Sequence, residues 1–274
     1  MADKKDHIGL SDTHNSRGIE LADRGWLDEA VSEFRKAIEL DPESAHAHDN
    51  LATVLAEKKH FRESLSEYLR AIELEPDSAT AHYNLACFLA TNATEMAIAE
   101  YREAIEEEPD YPDAHVNLAL VLVDQGELAE AKKELELAVG LAPEDSLPRH
   151  ELASLAMEEG DFRSAIAHLK EVVRLSPDDY EGWLDLGVCY AQKGIYSEAE
   201  SAYERARTLN PSDPLLTYDQ AALYAQWGRA AEAKRLLGQA IAADPTKVRG
   251  WLGSDPMFDS LKGDPDFEAL AHGG

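Results

Sequence analysis

The segment Tyr180–Asp213, "YEGWLDLGVCYAQKGIYSEAESAYERARTLNPSD", decides the fold, because copies of its pattern fill most of the chain. Its proline is one of seven that recur at separations of 34, 33, 34, 34, 34 and 34 residues. Proline cannot continue a helix, so each one marks a helix end and the start of another copy. The seven are Pro42, Pro76, Pro109, Pro143, Pro177, Pro211 and Pro245.

Small and large residues stand at fixed distances from each proline. Alanine stands five and twelve residues before it in nearly every copy, and Phe, Tyr or Leu stands eight before it. Small residues let two helices approach closely, and the large residue fills the space beside them. A glycine suited to a helix C-cap separates the two halves of five copies. These glycines are Gly25, Gly126, Gly160, Gly194 and Gly228. Each copy therefore reads as helix, short turn, helix.

This pattern resembles that of the tetratricopeptide repeat family, in which Trp, Leu, Gly, Tyr, Gly, Ala, Phe, Ala and Pro recur within 34 residues. The best match in this chain runs through Trp183, Leu186, Gly187, Tyr190, Gly194, Ala199, Tyr203, Ala206 and Pro211. The resemblance implies an all-α, right-handed superhelical α-solenoid of seven helix-turn-helix repeats. The predicted repeats are 11–44, 45–78, 79–111, 112–145, 146–179, 180–213 and 214–247.

Three segments depart from the repeat. Residues 1–10 are predicted to be an N-terminal tail, and residues 248–274 a short helical cap over the last repeat. The cap contains "DPMFDSL" (255–261) and "DPDFEAL" (264–270), each with Asp at an N-cap and Pro at the first helical position. The third repeat is one residue short, and "TNATEM" (91–96) replaces its glycine turn, so we expect a local change of helix angle there.

The charge balance limits the possible partners. The 274 residues include 54 acids and 26 bases, for a net charge of −28. Nucleic acid and anionic membrane are unexpected partners, because both require a basic footprint. No stretch approaches the ~20 apolar residues of a membrane span, so we expect no membrane insertion. The first ten residues contain no signal-like apolar run, and Cys87 and Cys189 form no CxxC pair, so we expect a cytoplasmic protein.

No catalytic or cofactor motif is present, and we expect a protein that is not an enzyme and needs no cofactor. The closest pattern is "HELAS" at His150, in which Ser154 replaces the second histidine of HExxH. Four histidines share the fourth position of their repeats: His14, His48, His82 and His115. Metal ligands must converge within ~2.0–2.1 Å of one ion, whereas packed helices lie ~8–10 Å apart. We expect these imidazoles to be packing rings, because the resembling family places a ring at this position.

Positions 2, 5, 6, 9 and 13 of each repeat form one stripe on its first helix. The resemblance implies that first helices line a concave groove, where a sixth-position asparagine bonds the backbone of an extended peptide. The alternative is an amide that only favours the fold. The predicted groove residues are Asn50, Tyr83, Asn84, Asp113, Val116, Asn117, Leu120, Asp124, Glu151, Leu184, Asp185, Val188 and Tyr218.

The stripe contains no Lys or Arg, which argues against a clamp for a C-terminal carboxylate. It favours a basic, partly apolar peptide or helix as the partner of a scaffold or adaptor. Tyr83, Val116, Leu120, Leu184, Val188 and Tyr218 are the predicted apolar anchors. Four alternatives stay open: binding on the convex side or tail, a self-assembling homo-oligomeric scaffold, an assembly or chaperone factor of a multiprotein complex, and an accessory subunit of an enzyme.

Overall fold

The computed structural model describes residues 2–90, 93–253 and 255–272, which form sixteen α-helices, one 3₁₀ helix and no strand. The all-α fold of repeated helix pairs is confirmed. The α-helices are α1 (Ala2–Asp23), α2 (Leu27–Leu40), α3 (Ala45–Glu57), α4 (Phe61–Leu74), α5 (Ala79–Leu89), α6 (Thr94–Glu107), α7 (Pro112–Asp124), α8 (Leu128–Leu141), α9 (Leu147–Glu158), α10 (Phe162–Leu175), α11 (Tyr180–Gln192), α12 (Tyr196–Leu209), α13 (Pro214–Gln226), α14 (Ala230–Ala243), α15 (Pro245–Leu252) and α16 (Pro265–His272). The 3₁₀ helix spans Pro256–Leu261.

The chain forms two compact bodies, residues 1–142 (the N-terminal body) and residues 143–274 (the C-terminal body). Helices α1 to α8 build the first, and the remaining helices build the second. From α1 to α14, odd-numbered helices are the first helices of the repeats, and even-numbered helices are the second.

The predictions for two segments outside the regular repeat, residues 1–10 and 91–96, compare differently with the structure. Helix α1 begins at Ala2, so residues 2–10, predicted as a tail, lengthen the first helix of the first repeat. Thr91 and Asn92 of the atypical turn lie outside the described residues, between the end of α5 at Leu89 and the start of α6 at Thr94. The change of helix angle expected there stays a prediction.

The turn within a repeat requires a left-handed backbone residue. The five turn glycines have φ between 69° and 80°. A residue with a Cβ in this region costs on the order of 1 kcal/mol relative to glycine. The second repeat nevertheless places Lys59 there, with φ 61°, and it is the one non-glycine residue of positive φ in the described ranges.

Two helix pairs show a small residue that faces a large one. A Cβ added to Gly187 of α11 would lie 2.4 Å from ring atoms of Tyr203 on α12. Gly18 meets Phe34 in the same way, at 2.5 Å. Phe34 and Tyr203 are almost fully buried. A glycine of the first helix therefore stands where each of these rings packs against it.

The fourth-position side chains of five repeats bond to the proline turn that precedes them. A side-chain N–H donates to the proline carbonyl six residues earlier in five repeats. The donors and acceptors are His48 and Pro42 (3.3 Å), His82 and Pro76 (2.9 Å), His115 and Pro109 (3.0 Å), Arg149 and Pro143 (2.8 Å), and Trp183 and Pro177 (3.0 Å). Helices end at these prolines, so the bonds supply partners to carbonyls that no helix satisfies.

The histidines make a second bond through Nδ1. In each of four repeats Nδ1 lies 2.6 Å from a glutamate carboxylate of the second helix: Glu33, Glu67, Glu100 and Glu134 for His14, His48, His82 and His115. His48, His82 and His115 make both bonds, so each ring joins the second helix of its own repeat to the preceding proline turn.

The C-terminal segment covers the apolar end of the last repeat. Val248 and Phe258 are fully buried, and Phe258 stacks on Phe267 with ring centroids 5.9 Å apart. Tyr218 of α13 lies 5.4 Å from the rings of both Trp251 and Phe258. This arrangement agrees with the predicted helical cap.

We expect Gly187→Ala to lower the free energy of unfolding by about 1–3 kcal/mol, because the buried Tyr203 ring cannot move away from the new methyl group. The gain in helix propensity, about 1 kcal/mol, works in the opposite direction. Gly140→Ala in α8 is the matched control, since no atom lies within 4 Å of its added Cβ, and it should be neutral or stabilising. Urea titration measures both. Equal effects of the two substitutions would contradict this account of the packing.

We expect the stabilising effect of His82 to depend on pH. Burial lowers the pKa of His82, but its bonds to Glu100 and to the Pro76 carbonyl outweigh burial and raise the pKa above 6.5. A raised pKa means that the stabilisation is complete below about pH 6.5 and is lost as pH rises through the folded-state value. His82→Asn should therefore cost about 1–2 kcal/mol at about pH 6 and clearly less at about pH 9.

Urea titrations of the wild type and this variant at both pH values measure the difference. His46→Asn, at an exposed position of α3, is the control. An effect of His82→Asn that is the same at both pH values would exclude a charged ring.

Candidate peptide-binding face

In the N-terminal body, the sixth-position asparagines join consecutive first helices. Each amide Nδ2 donates to a side chain of the preceding first helix. The bonds run from Asn50 to Asn15 Oδ1 (3.0 Å), from Asn84 to Asp49 Oδ2 (2.7 Å) and from Asn117 to Tyr83 Oη (2.8 Å). The three amides are half-buried. An amide has two N–H groups and an accepting oxygen, so each keeps hydrogen-bonding capacity for a ligand.

In the C-terminal body, carboxylates take the accepting role. His150 Nε2 lies 3.0 Å from Asp185 Oδ2, between α9 and α11. The hydroxyl of Tyr180 donates to Asp213 at 2.5 Å, and that of Tyr218 donates to Asp255 at 2.7 Å. In this body the His150–Asp185 contact links two first helices along the predicted stripe, whereas Tyr180 and Tyr218 bond to carboxylates at helix N-caps outside the stripe.

Three predicted anchors cannot offer apolar surface to a ligand. Val116 and Tyr218 are 4% exposed, and Leu184 is 8% exposed. All three hold the fifth position, which is turned toward a neighbouring element. Leu184 packs in one apolar cluster with Leu216 of the next first helix, and the cap covers Tyr218. Their prediction as anchors is corrected on this ground.

The other predicted groove residues are accessible to varying degrees. Tyr83 is half-buried, with its ring 4.9 Å from that of Tyr111. Leu120, Glu151, Asp185 and Val188 are also half-buried, whereas Asp113 and Asp124 are exposed.

Asp49 of α3 is a carboxylate with an incomplete set of partners. Its Oδ2 accepts from Asn84, but its Oδ1 is buried and has no hydrogen-bond partner among the described residues. Burial raises the pKa of Asp49 to about 6, although the bond from Asn84 opposes the shift. The side chain therefore titrates close to neutral pH.

Asp219 of α13 is the corresponding carboxylate of the C-terminal body. Burial raises its pKa to about 7, and the charges of Asp213, Asp255 and Asp185 add to the shift. Those three carboxylates each accept a hydrogen bond. Within the described part of the chain, Asp219 has no such donor and no basic partner. A cation placed beside Asp219 would favour its ionised form and oppose the raised pKa.

The stripe pattern included Asp49 and Asp219, but sequence reasoning did not single them out from the other acids. Asp213 and Asp255 were missed because both precede helices and fall outside the stripe positions. The available signal was the recurrence of Asp at the start of a Pro-led helix beside an acidic first helix. That signal does not show which carboxylates lie close together.

The described residues contain no group of three or more His, Cys, Asp or Glu side chains placed to hold a metal ion. Burial raises the pKa of the Cys189 thiol to about 12, so this thiol stays protonated at neutral pH. None of the described helices has the length and apolar character needed to cross a membrane.

Family models described as tetratricopeptide repeats match residues 11–44 and 45–78, residues 88–153 and residues 150–214. The chain belongs to the tetratricopeptide repeat family, whose repeats generally mediate protein–protein interaction. No curated protein sequence matches the chain significantly.

Several solved structures share this fold. YrrB, a tetratricopeptide repeat protein described as having an unusual peptide-binding site, is 26% identical, with a TM-score of 0.60 over 65% of this chain and 92% of its own. The pilF protein of Pseudomonas aeruginosa is 24% identical, with a TM-score of 0.69 over 78% of this chain and 98% of its own. The C-terminal part of a repeat protein from Cytophaga hutchinsonii is 16% identical, with a TM-score of 0.69, and the match covers 90% of this chain and 99% of that one. The last two likenesses concern the fold alone.

We expect Asp219→Asn to stabilise the protein at about pH 8 and to have little effect at about pH 4. A carboxyl whose folded pKa is raised to about 7 keeps its proton in the folded state between about pH 4 and pH 7, while the unfolded chain releases it. Stability therefore falls as pH rises through this window, and the asparagine removes the penalty. The gain at about pH 8 should be on the order of 1 kcal/mol once solvent screening is allowed for.

Urea titrations of wild type and variant across this pH range measure the gain. Glu204→Gln removes one charge from an exposed position of α12 and serves as the control, with no comparable gain. A destabilising effect of Asp219→Asn at about pH 8 would show that the carboxylate is already neutralised.

Proposed function

We propose that the chain is a non-enzymatic scaffold or adaptor that binds a basic, partly apolar peptide or helix on its first-helix face. The observation that carries the proposal is Asp219, a partly buried carboxylate beside Asp185, Asp213 and Asp255 that has no basic partner among the described residues. Lysine or arginine from a partner would supply the missing countercharge. Because nearby carboxylates already raise the pKa of Asp219, a cation there gains more than at an isolated surface acid.

Two further features support this role. The predicted stripe contains no Lys or Arg, so no side chain of the stripe competes with an incoming cation. The sequence likeness to YrrB, which is described as having a peptide-binding site, favours a peptide as the ligand. Two half-buried residues remain as apolar contacts for a partner: Val188 of α11 in the C-terminal body and Leu120 of α7 in the N-terminal body. A cytoplasmic location belongs to the same proposal.

The proposal predicts that binding of an arginine-containing peptide strengthens as pH rises. If the ionised form of Asp219 is the one that binds, a pKa of about 7 makes the competent fraction about tenfold larger at pH 8 than at pH 6. Arginine does not titrate in this range. Fluorescence anisotropy with a labelled peptide that alternates Arg and Leu measures the affinity, and a matched peptide with Gln for Arg tests the requirement for charge.

Asp219→Asn should weaken binding of the Arg peptide and remove its pH dependence, while Glu204→Gln should change neither. Because Asp219→Asn is expected to stabilise the fold, weaker binding cannot be attributed to unfolding. Equal affinity of the Arg and Gln peptides, or an unchanged affinity of the Asp219→Asn variant, would reject this face as a cation-recognising site.

A further inference from the structure

The turn between α3 and α4 carries a strained lysine. Lys59 takes the left-handed conformation that glycines adopt at the same position in five other repeats. Its side chain is exposed and makes no hydrogen bond or ion pair within the described ranges of the chain. No contact inside the fold therefore offsets the strain, and strained residues of this kind cluster at functional sites.

Helix α4, which follows this turn, exposes an apolar stripe. Phe61 is 55% exposed and Leu69 is 49% exposed, with half-buried Leu65 between them at four-residue spacing. The Phe61 ring lies 6.1 Å from that of Phe88 on α5, which extends the apolar surface. Five other repeats place charged side chains at the position of Leu69, namely Arg35, Arg102, Glu136, Lys170 and Glu204, and the seventh repeat has Gly238 there. A contiguous exposed apolar surface of this kind marks an interaction site.

The same corner holds free positive charge. A recess of about 640 Å³ is lined by Lys59, His60, Phe61, Arg62, Glu63, Ser66 and Glu67. Arg62 is exposed and, like Lys59, has no acidic partner among the residues that the structure describes. The net charge of the recess therefore depends on whether Glu63 and Glu67 are paired with basic side chains of the protein.

Both glutamates of the recess are already paired with side chains of the protein. Glu63 accepts from Arg35 of α2, and Glu67 accepts from the His48 ring at 2.6 Å. The recess therefore presents two unpaired cations beside an exposed phenylalanine. This is the reverse of the first-helix face, where the carboxylate of Asp219 has no basic partner within the described ranges.

We propose that this corner, formed by residues 58–63 and the Phe61–Leu65–Leu69 stripe, binds an acidic peptide segment with a Phe or Leu side chain between its carboxylates. The carboxylates pair with Lys59 and Arg62, and the apolar side chain covers Phe61. The overall charge of −28 does not prevent this, because charges beyond about 8 Å are screened at physiological salt. The site lies on a second helix and an adjoining turn, so it is separate from the first-helix face. The first-helix face is proposed to bind a basic peptide, whereas this corner of the N-terminal body would bind an acidic one.

Peptide display tests the proposal. Random 12-residue peptides are selected on the full-length chain at physiological salt and counter-selected on the variant that combines Lys59→Gly, Phe61→Ser and Arg62→Gln. The surviving peptides should combine Asp or Glu with Phe or Leu. One of them is then labelled, and its affinity is measured by fluorescence anisotropy.

The single variants separate binding from folding. Lys59→Gly should raise Tm by roughly 2–4 °C, because it relieves the left-handed strain, yet weaken binding. Lys59→Gly with Arg62→Gln should weaken binding roughly threefold to tenfold, as expected for two surface charge pairs. Lys133→Gln, at an exposed position of α8, is the matched control and should leave affinity unchanged.

Three outcomes would overturn the proposal. The first is selection of peptides without acidic residues, or peptides that bind the triple variant equally well. The second is binding to phosphatidylserine vesicles without binding to any acidic peptide, which would make the corner a lipid site. The third is concentration-dependent self-association that the triple variant abolishes, which would identify a second copy of this chain as the occupant. Each result is independent of the Asp219 tests.

Discussion

The carbonyl of the proline that ends a repeat is the group on which the order of the array depends. A helix stops at this proline, so its carbonyl lacks a helical partner. In five repeats the next first helix supplies one, through a His, Arg or Trp side chain six residues later. The bond connects the turn to the following helix, and it thereby sets where that helix begins relative to the repeat before it.

The histidines show how one side chain carries two structural roles. Nδ1 of His82 bonds to Glu100 on the second helix, while Nε2 bonds to the Pro76 carbonyl of the preceding turn. The ring thus connects both helices of its own repeat to the repeat before. Burial lowers the pKa of His82, but the two accepting partners favour the charged ring and raise its pKa above the ordinary value. A charged ring offsets the negative charge of Glu100 inside the fold.

Compensation of this kind determines which charges remain for partners. Glu63 and Glu67 are paired within the N-terminal body, which leaves Lys59 and Arg62 beside them free. In the described part of the C-terminal body, Asp219 lies near other carboxylates and has no basic partner. The two candidate surfaces therefore differ in sign although the chain as a whole is strongly acidic. The net charge of the chain governs its solubility and long-range repulsion. Recognition of a partner depends instead on the few charged side chains that are not paired within the protein.

The sequence alone determined the repeat length and the helix pairs, because these features depend on residues at regular spacing along the chain. It also located the asparagines and the acidic stripe. It could not show that Val116, Leu184 and Tyr218 are buried, nor that Asn84 already bonds to Asp49, because these contacts join elements more than 30 residues apart. Only the tertiary structure decided which polar groups are paired, and hence which charges are left unpaired for a ligand, since pairing depends on interhelical distances that no local pattern specifies.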